Sequence, residues 1–250
     1  MNYDDYNREE RAICAHLFRL LHEQIDKKWE SPLGKFLLKI ELKEQGFNLT
    51  NMKFENIGIY CEVAIIRDAY QNKKPEIFQV MDDLSRIIMQ QEEISVCRLF
   101  SELPDILKNP KETHPKQIKQ KANSAGIELT ESEKQVYGAM QGMFNAKPDL
   151  VITIDNKLLV FEAKFTEPFD EVQLKRTTNI TETWSKLLFN DFGFSARPDS
   201  FIIKLGAGKF NPNISWTEIK NIAKETYSPN DRTLISLIKG VELLEKYKLE

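Results

Sequence analysis

Lys147–Lys164 reads KPDLVITIDNKLLVFEAK, two apolar runs rich in β-branched residues on either side of a short polar turn. This pattern predicts a β-hairpin. If Asp155-Asn156 forms a two-residue turn, Ile154 pairs with Lys157 and the pairing continues outward along both strands. The register of the hairpin is therefore predicted from one end of the stretch to the other.

The open end of this hairpin carries charged side chains. The register predicts that Asp149 stands opposite Glu162, about 5 Å away between Cα atoms. Side chains alternate along a strand, so Glu162 and Lys164 leave the sheet on the same face, about 6.6 Å apart along the chain, while Ala163 points into the other face. We therefore expect two neighbouring carboxylates with a lysine beside them.

This combination of charges indicates a specific chemistry. Two adjacent carboxylates repel each other unless a proton or a cation lies between them. Mg²⁺ takes hard oxygen ligands and commonly uses one or two carboxylates together with water and substrate phosphates. A lysine at such a site would handle a proton or neutralise charge that develops on a phosphate. The residues therefore predict phosphodiester hydrolysis.

An ordinary hairpin with an exposed ion pair between Asp, Glu and Lys is the structural alternative. The segment Phe161-Glu162-Ala163-Lys164-Phe165 places both charged residues in the middle of an otherwise apolar run. Burial of charge is costly, so a functional role is the favoured interpretation.

Pro148-Asp149, followed after twelve residues by Glu162-Ala163-Lys164, resembles the PD-(D/E)xK nuclease superfamily. The resemblance implies a restriction-endonuclease-like α/β fold, in which a mixed sheet core of the αβββαβ type is flanked by helices. It implies divalent-metal-dependent cleavage of nucleic acid, with Mg²⁺ or Mn²⁺ held by Asp149, Glu162 and the backbone carbonyl of Ala163. Lys164 would be the catalytic lysine.

The segment after the hairpin is predicted to be a helix that opens near Asp170. Some branches of the superfamily carry a Gln on this helix, which Gln173 resembles, and usually a Tyr four residues later, where this chain has Thr177. Gln173 is therefore an auxiliary site residue or a solvated helix residue. Lys175 and Arg176 are candidates for contact with phosphate, and a solvated basic pair is the alternative.

The superfamily often adds an acidic residue from the first core helix, and the sequence offers two candidates. Glu133 belongs to the capping box Thr130-Glu131-Ser132-Glu133, which ties its side chain to the start of a helix. Glu10 lies at the start of a long amphipathic helix. In this second alternative Glu10 belongs to the first core helix, and the residues up to about 125 form an insertion after that helix. A surface role is the favoured interpretation for each residue taken alone.

Composition and length indicate the number of domains and the class of protein. At 250 residues and 41% hydrophobic, the chain has enough apolar residues for one large or two small domains. It has no apolar stretch of membrane-spanning length, and its polar N-terminus does not resemble a signal peptide, so a cytoplasmic protein without membrane contact is expected. Cys14, Cys61 and Cys97 lie in apolar contexts predicted to be helical and are expected to be reduced core thiols.

Two regions are predicted from periodicity. Residues 1–125 are expected to be mainly helical, and residues 126–250 to form the nuclease-like core. Residues 108–126 are rich in Lys and Pro and are interpreted as a linker or a basic edge that faces nucleic acid. The helices predicted before them are Leu33–Leu42, Tyr60–Tyr70, Ile77–Gln91 and Ile94–Leu107.

The core region is predicted to continue from the hairpin with a helix and a second helical segment, Trp184–Phe192. A strand Phe201–Leu205 and two capped helices follow. The caps are assigned to Ser215-Trp216-Thr217-Glu218 and to Ser228-Pro229-Asn230-Asp231.

A net charge of −3 argues against tight stand-alone binding of nucleic acid more than against cleavage. The predicted function is a divalent-metal-dependent nuclease, a DNA endonuclease in restriction, repair or defence. DNA is the expected partner ahead of RNA, and a homodimer is compatible with the sequence. Two alternatives remain: a catalytically inactive nuclease-like module that binds nucleic acid or protein, and a helical interaction module formed by residues 1–107.

Overall fold

The computed structural model describes residues 10–64, 66–68, 77–94, 115–190 and 195–250. These residues form a mixed α/β fold with a five-stranded mixed sheet and many helices. In chain order the helices are α1 (Glu10–His22), α2 (Pro32–Glu41), α3 (Ile77–Gln91), α4 (Pro115–Ser124), α5 (Glu131–Asn145), α6 (Glu171–Asn190), α7 (Trp216–Thr226) and α8 (Arg232–Lys246). Short 3-10 helices occupy Ile25–Glu30, Phe54–Asn56 and Gly208–Phe210.

The sheet has the same order in space as in sequence. Its strands are β1 (Ile57–Cys61), β2 (Leu150–Ile154), β3 (Lys157–Ala163), β4 (Asp199–Gly206) and β5 (Ile214–Ser215). Strands β1, β2 and β3 are antiparallel neighbours, whereas β4 and β5 are parallel.

The chain divides into two compact units. The first contains the described residues up to Glu62 together with Pro148–Thr178 and Ser200–Glu250. The second contains the described residues of 63–147 and 179–199. This division differs from the boundary expected between residues 125 and 126, because helices α1 and α2 belong to the same unit as the hairpin.

A single hydrophobic core holds the first unit together. It joins the buried side chains of α1, α2, α7 and α8 to one face of the sheet, where Leu150, Ile152, Leu159, Phe161 and Ala163 are almost fully buried. These sheet residues occupy alternate positions on their strands, as expected for side chains that share a face. The other face of the hairpin is buried as well, at Val151, Leu158 and Val160. Asp149, Glu162 and Lys164 belong to this second face, in alternation with the residues of the core described above.

Side-chain caps start the last two helices. Ser215 Oγ accepts a hydrogen bond from Glu218 N at 3.2 Å, and Glu218 Oε2 accepts one from Ser215 N at 2.8 Å, which completes a capping box at α7. Asp231 Oδ1 accepts from Thr233 N at 2.8 Å at the start of α8. The first cap is confirmed. In the second predicted stretch the capping residue is Asp231, and the helix begins at Arg232, after Pro229.

Gly34 allows α2 to approach the preceding chain closely. A Cβ at position 34 would lie 2.3 Å from the carbonyl oxygen of Trp29 and 2.4 Å from its Cα, and backbone atoms cannot rotate away. We expect Gly34→Ala to lower the free energy of unfolding by about 1–3 kcal/mol in urea titrations, through overpacking. Gly138→Ala is the control, since a Cβ there meets nothing within 4 Å. The Gly138→Ala change should raise the free energy of unfolding by about 0.5–1 kcal/mol, because alanine has a higher helix propensity than glycine. Equal effects in the two variants would contradict the steric argument.

The described part of the second unit is helical. Helix α5 packs against α3 and α4, and Gln91 Nε2 at the end of α3 donates to Asn179 O and to Thr183 Oγ1, each at 3.2 Å. Trp184 is fully buried in this unit. Thr130 and Glu133 form the predicted capping box at the start of α5.

The structure corrects three expectations. The segment predicted as the helix Tyr60–Tyr70 begins with the end of strand β1, which runs from Ile57 to Cys61, and is helical at residues 66–68. The stretch interpreted as a linker or basic edge includes helix α4 in its described part. The segment that starts at Trp184 is the end of the continuous 20-residue helix α6. The helix predicted over 94–107 lies almost entirely outside the described residues.

Two of the three cysteines lie in the described residues, and their environments differ. Cys14 is buried in α1, as expected, whereas Cys61 is half-buried at the end of a strand and not in a helix. Cys97 lies outside the described residues. Within the described ranges, no helix has both the length and the apolar composition needed to span a bilayer.

Candidate active site

The hairpin places the predicted acidic pair at its open end. Ile154 pairs with Lys157 across the two-residue turn, and the last pair of the ladder is Leu150 with Phe161. The next residues outward are Asp149, just before β2, and Glu162 on β3, so the predicted register is confirmed along the paired residues.

Contacts outside the hairpin fix its turn. Asp155 adopts a left-handed backbone conformation with φ of 48°. Its carboxylate accepts hydrogen bonds from Lys53 N at 2.9 Å and from Asn56 Nδ2 at 2.6 Å. These two hydrogen bonds hold the pKa of Asp155 below its ordinary value. The turn that sets the register is thus held from a distant part of the chain.

Asp149 is anchored beside the peptide that follows Glu162. Its Oδ2 atom accepts a hydrogen bond from Ala163 N at 3.1 Å. The side chain of Ala163 is fully buried in the core on the other face. The carboxylate of Asp149 therefore lies against the backbone of β3 at the position where the sequence predicted a metal ligand.

The carboxylate of Glu162 is engaged at both oxygens. Gln173 Nε2 donates to Oε1, and Thr177 Oγ1 donates to Oε2 at 3.0 Å. Both donors lie on α6, which begins where Asp170 Oδ1 accepts from Gln173 N at 2.8 Å. Gln173 is therefore in the site, and so is Thr177, the residue that departs from the superfamily pattern.

Lys164 shares the face of Glu162, as side-chain alternation predicted. Its Nζ atom lies 3.7 Å from Glu162 Oε1, and the two side chains are only 13% and 12% exposed. The backbone of Lys164 is fixed from two sides: its N donates to Leu205 O at 2.8 Å, and its O accepts from Trp216 Nε1 at 2.9 Å. The lysine is therefore a mostly buried cation on a rigid strand end and not part of an exposed surface ion pair.

Strand β1, which the sequence did not predict, brings further residues to the same end of the sheet. Cys61 pairs with Leu150, the residue next to Asp149. Burial raises the pKa of the Cys61 thiol, and the negative charges of Glu62 and Asp149 raise it further. Cys61 and Glu62 were missed because nothing in their local sequence indicates a partner almost ninety residues away.

The remaining candidates are placed as follows. Lys175 and Arg176 expose their side chains on α6. Glu133 is 2% exposed and accepts from Thr130 N at 2.8 Å, so it caps α5 in the second unit and is not a surface residue. Glu10 is the first residue of α1, and its side chain lies outside the described part of the chain.

The oxygen donors at the open end of the hairpin fit a hard divalent cation. Among the described residues, no group of three or more His, Cys, Asp or Glu side chains is arranged to hold a metal ion. Mg²⁺ and Mn²⁺ can bind with fewer protein ligands than this, since water and substrate oxygens complete the coordination. Asp149, Glu162 and the Ala163 carbonyl would provide such a contribution.

Comparison of the chain with protein-family models, with curated proteins and with solved structures gives no match. A functional assignment therefore depends on the geometry of the site.

Proposed function

We propose that the protein is a divalent-metal-dependent nuclease with a restriction-endonuclease-like core. One observation carries the proposal: Glu162 and Lys164 form a mostly buried ion pair at the end of β3, and Asp149 is anchored on the residue between them. Charged side chains are rarely buried in a protein without a compensating role, because desolvation is expensive. Three converging charged groups at one end of a sheet are characteristic of a catalytic site.

The topology of the first unit supports the same assignment. Within this unit, helices α1 and α2 are followed by the antiparallel strands β1, β2 and β3, then by the start of α6 and by β4. This order agrees with the αβββαβ core that the motif implies. Strand β1 supplies the first of the three antiparallel strands, which sequence periodicity alone did not reveal.

Asp149, Glu162 and the carbonyl of Ala163 would hold Mg²⁺ or Mn²⁺. The ion would polarise the scissile phosphate and lower the pKa of a bound water. The chain itself contributes a rigid frame, because Asp149 is fixed by Ala163 N and Glu162 by two donors from α6. Such pre-organisation keeps the reacting groups in place without reorganisation during the reaction.

Lys164 contributes positive charge at the reacting phosphate. A lysine ammonium group carries three N–H donors and no acceptor. At the end of β3 these donors would orient the attacking water and stabilise the negative charge that develops on the phosphoryl oxygens. Low exposure strengthens this interaction, since a partly buried charge is less screened than one in bulk water.

Lys175 and Arg176 would contact the phosphate backbone of the substrate from the exposed surface of α6. Such contacts position a nucleic acid without reading its sequence. The proposed substrate is DNA ahead of RNA.

Cleavage assays test the proposal. We expect purified protein to nick or degrade supercoiled plasmid DNA in the presence of Mg²⁺ or Mn²⁺ and to be inactive in EDTA, because in the proposed mechanism a bound cation activates the attacking water. The same assay with labelled RNA separates the two substrate classes. Asp149→Asn, purified in parallel, controls for contaminating nucleases. Cleavage that survives chelation, or that persists unchanged in Asp149→Asn, would show that another site or another protein is responsible.

A further inference from the structure

Helix α6 carries two side chains that hold opposite oxygens of one carboxylate. Gln173 and Thr177 are four residues apart and therefore lie on the same face of the helix, one turn from each other. Gln173 Nε2 donates to Glu162 Oε1, and Thr177 Oγ1 donates to Glu162 Oε2 at 3.0 Å. Thr177 is only 8% exposed.

The direction of the Thr177 hydroxyl is informative because other threonines on the same helix behave differently. Thr178 Oγ1 donates to Leu174 O at 2.9 Å, and Thr183 Oγ1 donates to Asn179 O at 2.7 Å. Both bonds return to the carbonyl four residues earlier, the usual choice for threonine inside a helix. Thr177 instead directs its hydroxyl to a carboxylate on a strand.

This contact determines how the Glu162 carboxylate is turned. The terminal torsion of a glutamate has a broad distribution, so a carboxylate held at one oxygen can still rotate. Donors on both oxygens define the plane of the group. Lys164 Nζ, 3.7 Å from Oε1, adds a charged contact at the oxygen that Gln173 holds, and the hydroxyl of Thr177 donates to the other oxygen.

We infer that Thr177 is a positioning residue for the nuclease reaction: its hydroxyl, together with the amide of Gln173, fixes the orientation in which Glu162 meets a divalent cation. The inference rests on the proposed function and adds a residue that the superfamily motif does not contain. Thr177 acts through Glu162, and its side chain is too buried for direct contact with a nucleic acid. Its effect is therefore expected on metal affinity and on turnover, and not on the KM for substrate.

Three variants isolate the hydroxyl. Thr177→Val keeps the shape of the side chain and removes the donor, whereas Thr177→Ser keeps the donor. Thr178→Val is the matched control, because it removes a hydroxyl that donates to Leu174 O within its own helix. Removal of a group that orients a metal ligand typically costs about 10- to 100-fold in metal affinity or activity. We expect a loss of this size in Mn²⁺ affinity for Thr177→Val, measured by calorimetry without nucleic acid, with recovery in Thr177→Ser and no change in Thr178→Val.

Kinetics provide the second readout. The value of kcat at saturating nucleic acid should fall in Thr177→Val while KM stays within about twofold. The reason is that the variant removes no interaction that binds the substrate equally in the ground state and in the transition state. Gln173→Met removes the other donor near the start of the helix and should weaken Mn²⁺ binding in the same way, which keeps the test decisive if Thr177→Val folds poorly.

The outcomes separate this inference from the proposed function. Wild-type protein that binds no Mn²⁺ overturns both. Wild-type protein that binds Mn²⁺ and cleaves, with Thr177→Val unchanged in affinity, overturns the role of Thr177 alone. Equal losses in Thr177→Val and Thr178→Val would show a general effect of threonine replacement on α6, and would also overturn it.

Discussion

Replacement of Lys164 by alanine is expected to lower the rate of phosphodiester cleavage by about 10²- to 10⁴-fold, the range typical for loss of a proton-handling side chain. The Nζ atom of this lysine lies 3.7 Å from Glu162 Oε1. Single-turnover cleavage of a labelled DNA duplex in Mn²⁺ would measure the chemical step without product release. Substrate KM and the Mn²⁺ affinity should change much less, because Lys164 is not a metal ligand.

The fold should survive this change. The backbone of Lys164 makes the structural contacts, to Leu205 O and from Trp216 Nε1, and both remain in an alanine variant. Glu162 also keeps its donors Gln173 and Thr177. Lys224→Ala is a suitable control, since that lysine is exposed on α7. If Lys164→Ala lost Mn²⁺ affinity and retained cleavage, the catalytic role of the lysine would be wrong.

Asp149→Asn should separate the fold from the metal site. In wild-type protein, a cation that binds only the native state adds RT ln(1 + [L]/Kd), about 2.7 kcal/mol at a hundredfold excess over Kd. For a chain of this length, the gain corresponds to a rise in Tm of roughly 5–10 °C. The asparagine side chain of the variant would keep a carbonyl oxygen that accepts from Ala163 N but would lose the charge that binds the cation. We expect the variant to melt at or above metal-free wild type, because the repulsion with Glu162 is relieved, and to gain little from Mn²⁺.

Two further variants separate the structural role of Asp149 from its role in metal binding. Asp149→Ala removes the acceptor of Ala163 N–H and should cost about 1–3 kcal/mol, the penalty for an unsatisfied polar group. Glu167→Gln, an exposed carboxylate after the hairpin, should retain the full Mn²⁺ shift. A thermal melt in which Asp149→Asn lies well below metal-free wild type and still gains the full shift would show that Asp149 is a structural residue, and the nuclease proposal would lose its strongest support.

The local part of the site could be predicted from sequence. The two-residue polar turn between two apolar runs sets the hairpin register, and a slip by one residue would exchange the two faces of a strand. The pairing of Ile154 with Lys157 therefore places Asp149 beside Glu162 without reference to the rest of the chain. Side-chain alternation likewise assigns Lys164 to the face of Glu162. The helix caps at Ser215 and Asp231 are local in the same sense.

Strand β1 could not be predicted in this way. Its residues Ile57–Cys61 include a glycine and a cysteine and show no strong alternation, and the periodicity after Tyr60 favoured a helix. The segment is a strand because it pairs with β2, almost a hundred residues later. Tertiary pairing often overrides local propensity in strands, since their stability depends on neighbours across the sheet.

The sequence by itself determined the hairpin, its register and therefore the juxtaposition of Asp149, Glu162 and Lys164, because each of these depends on residues fewer than twenty positions apart. Only the tertiary structure decided that Glu162 and Lys164 are mostly buried and that Gln173 and Thr177 hold the two oxygens of Glu162. Those contacts require α6 to lie over one face of β3 at a particular rotation. The angle at which a helix packs on a sheet follows from the shape of the whole core and is not written in any local pattern.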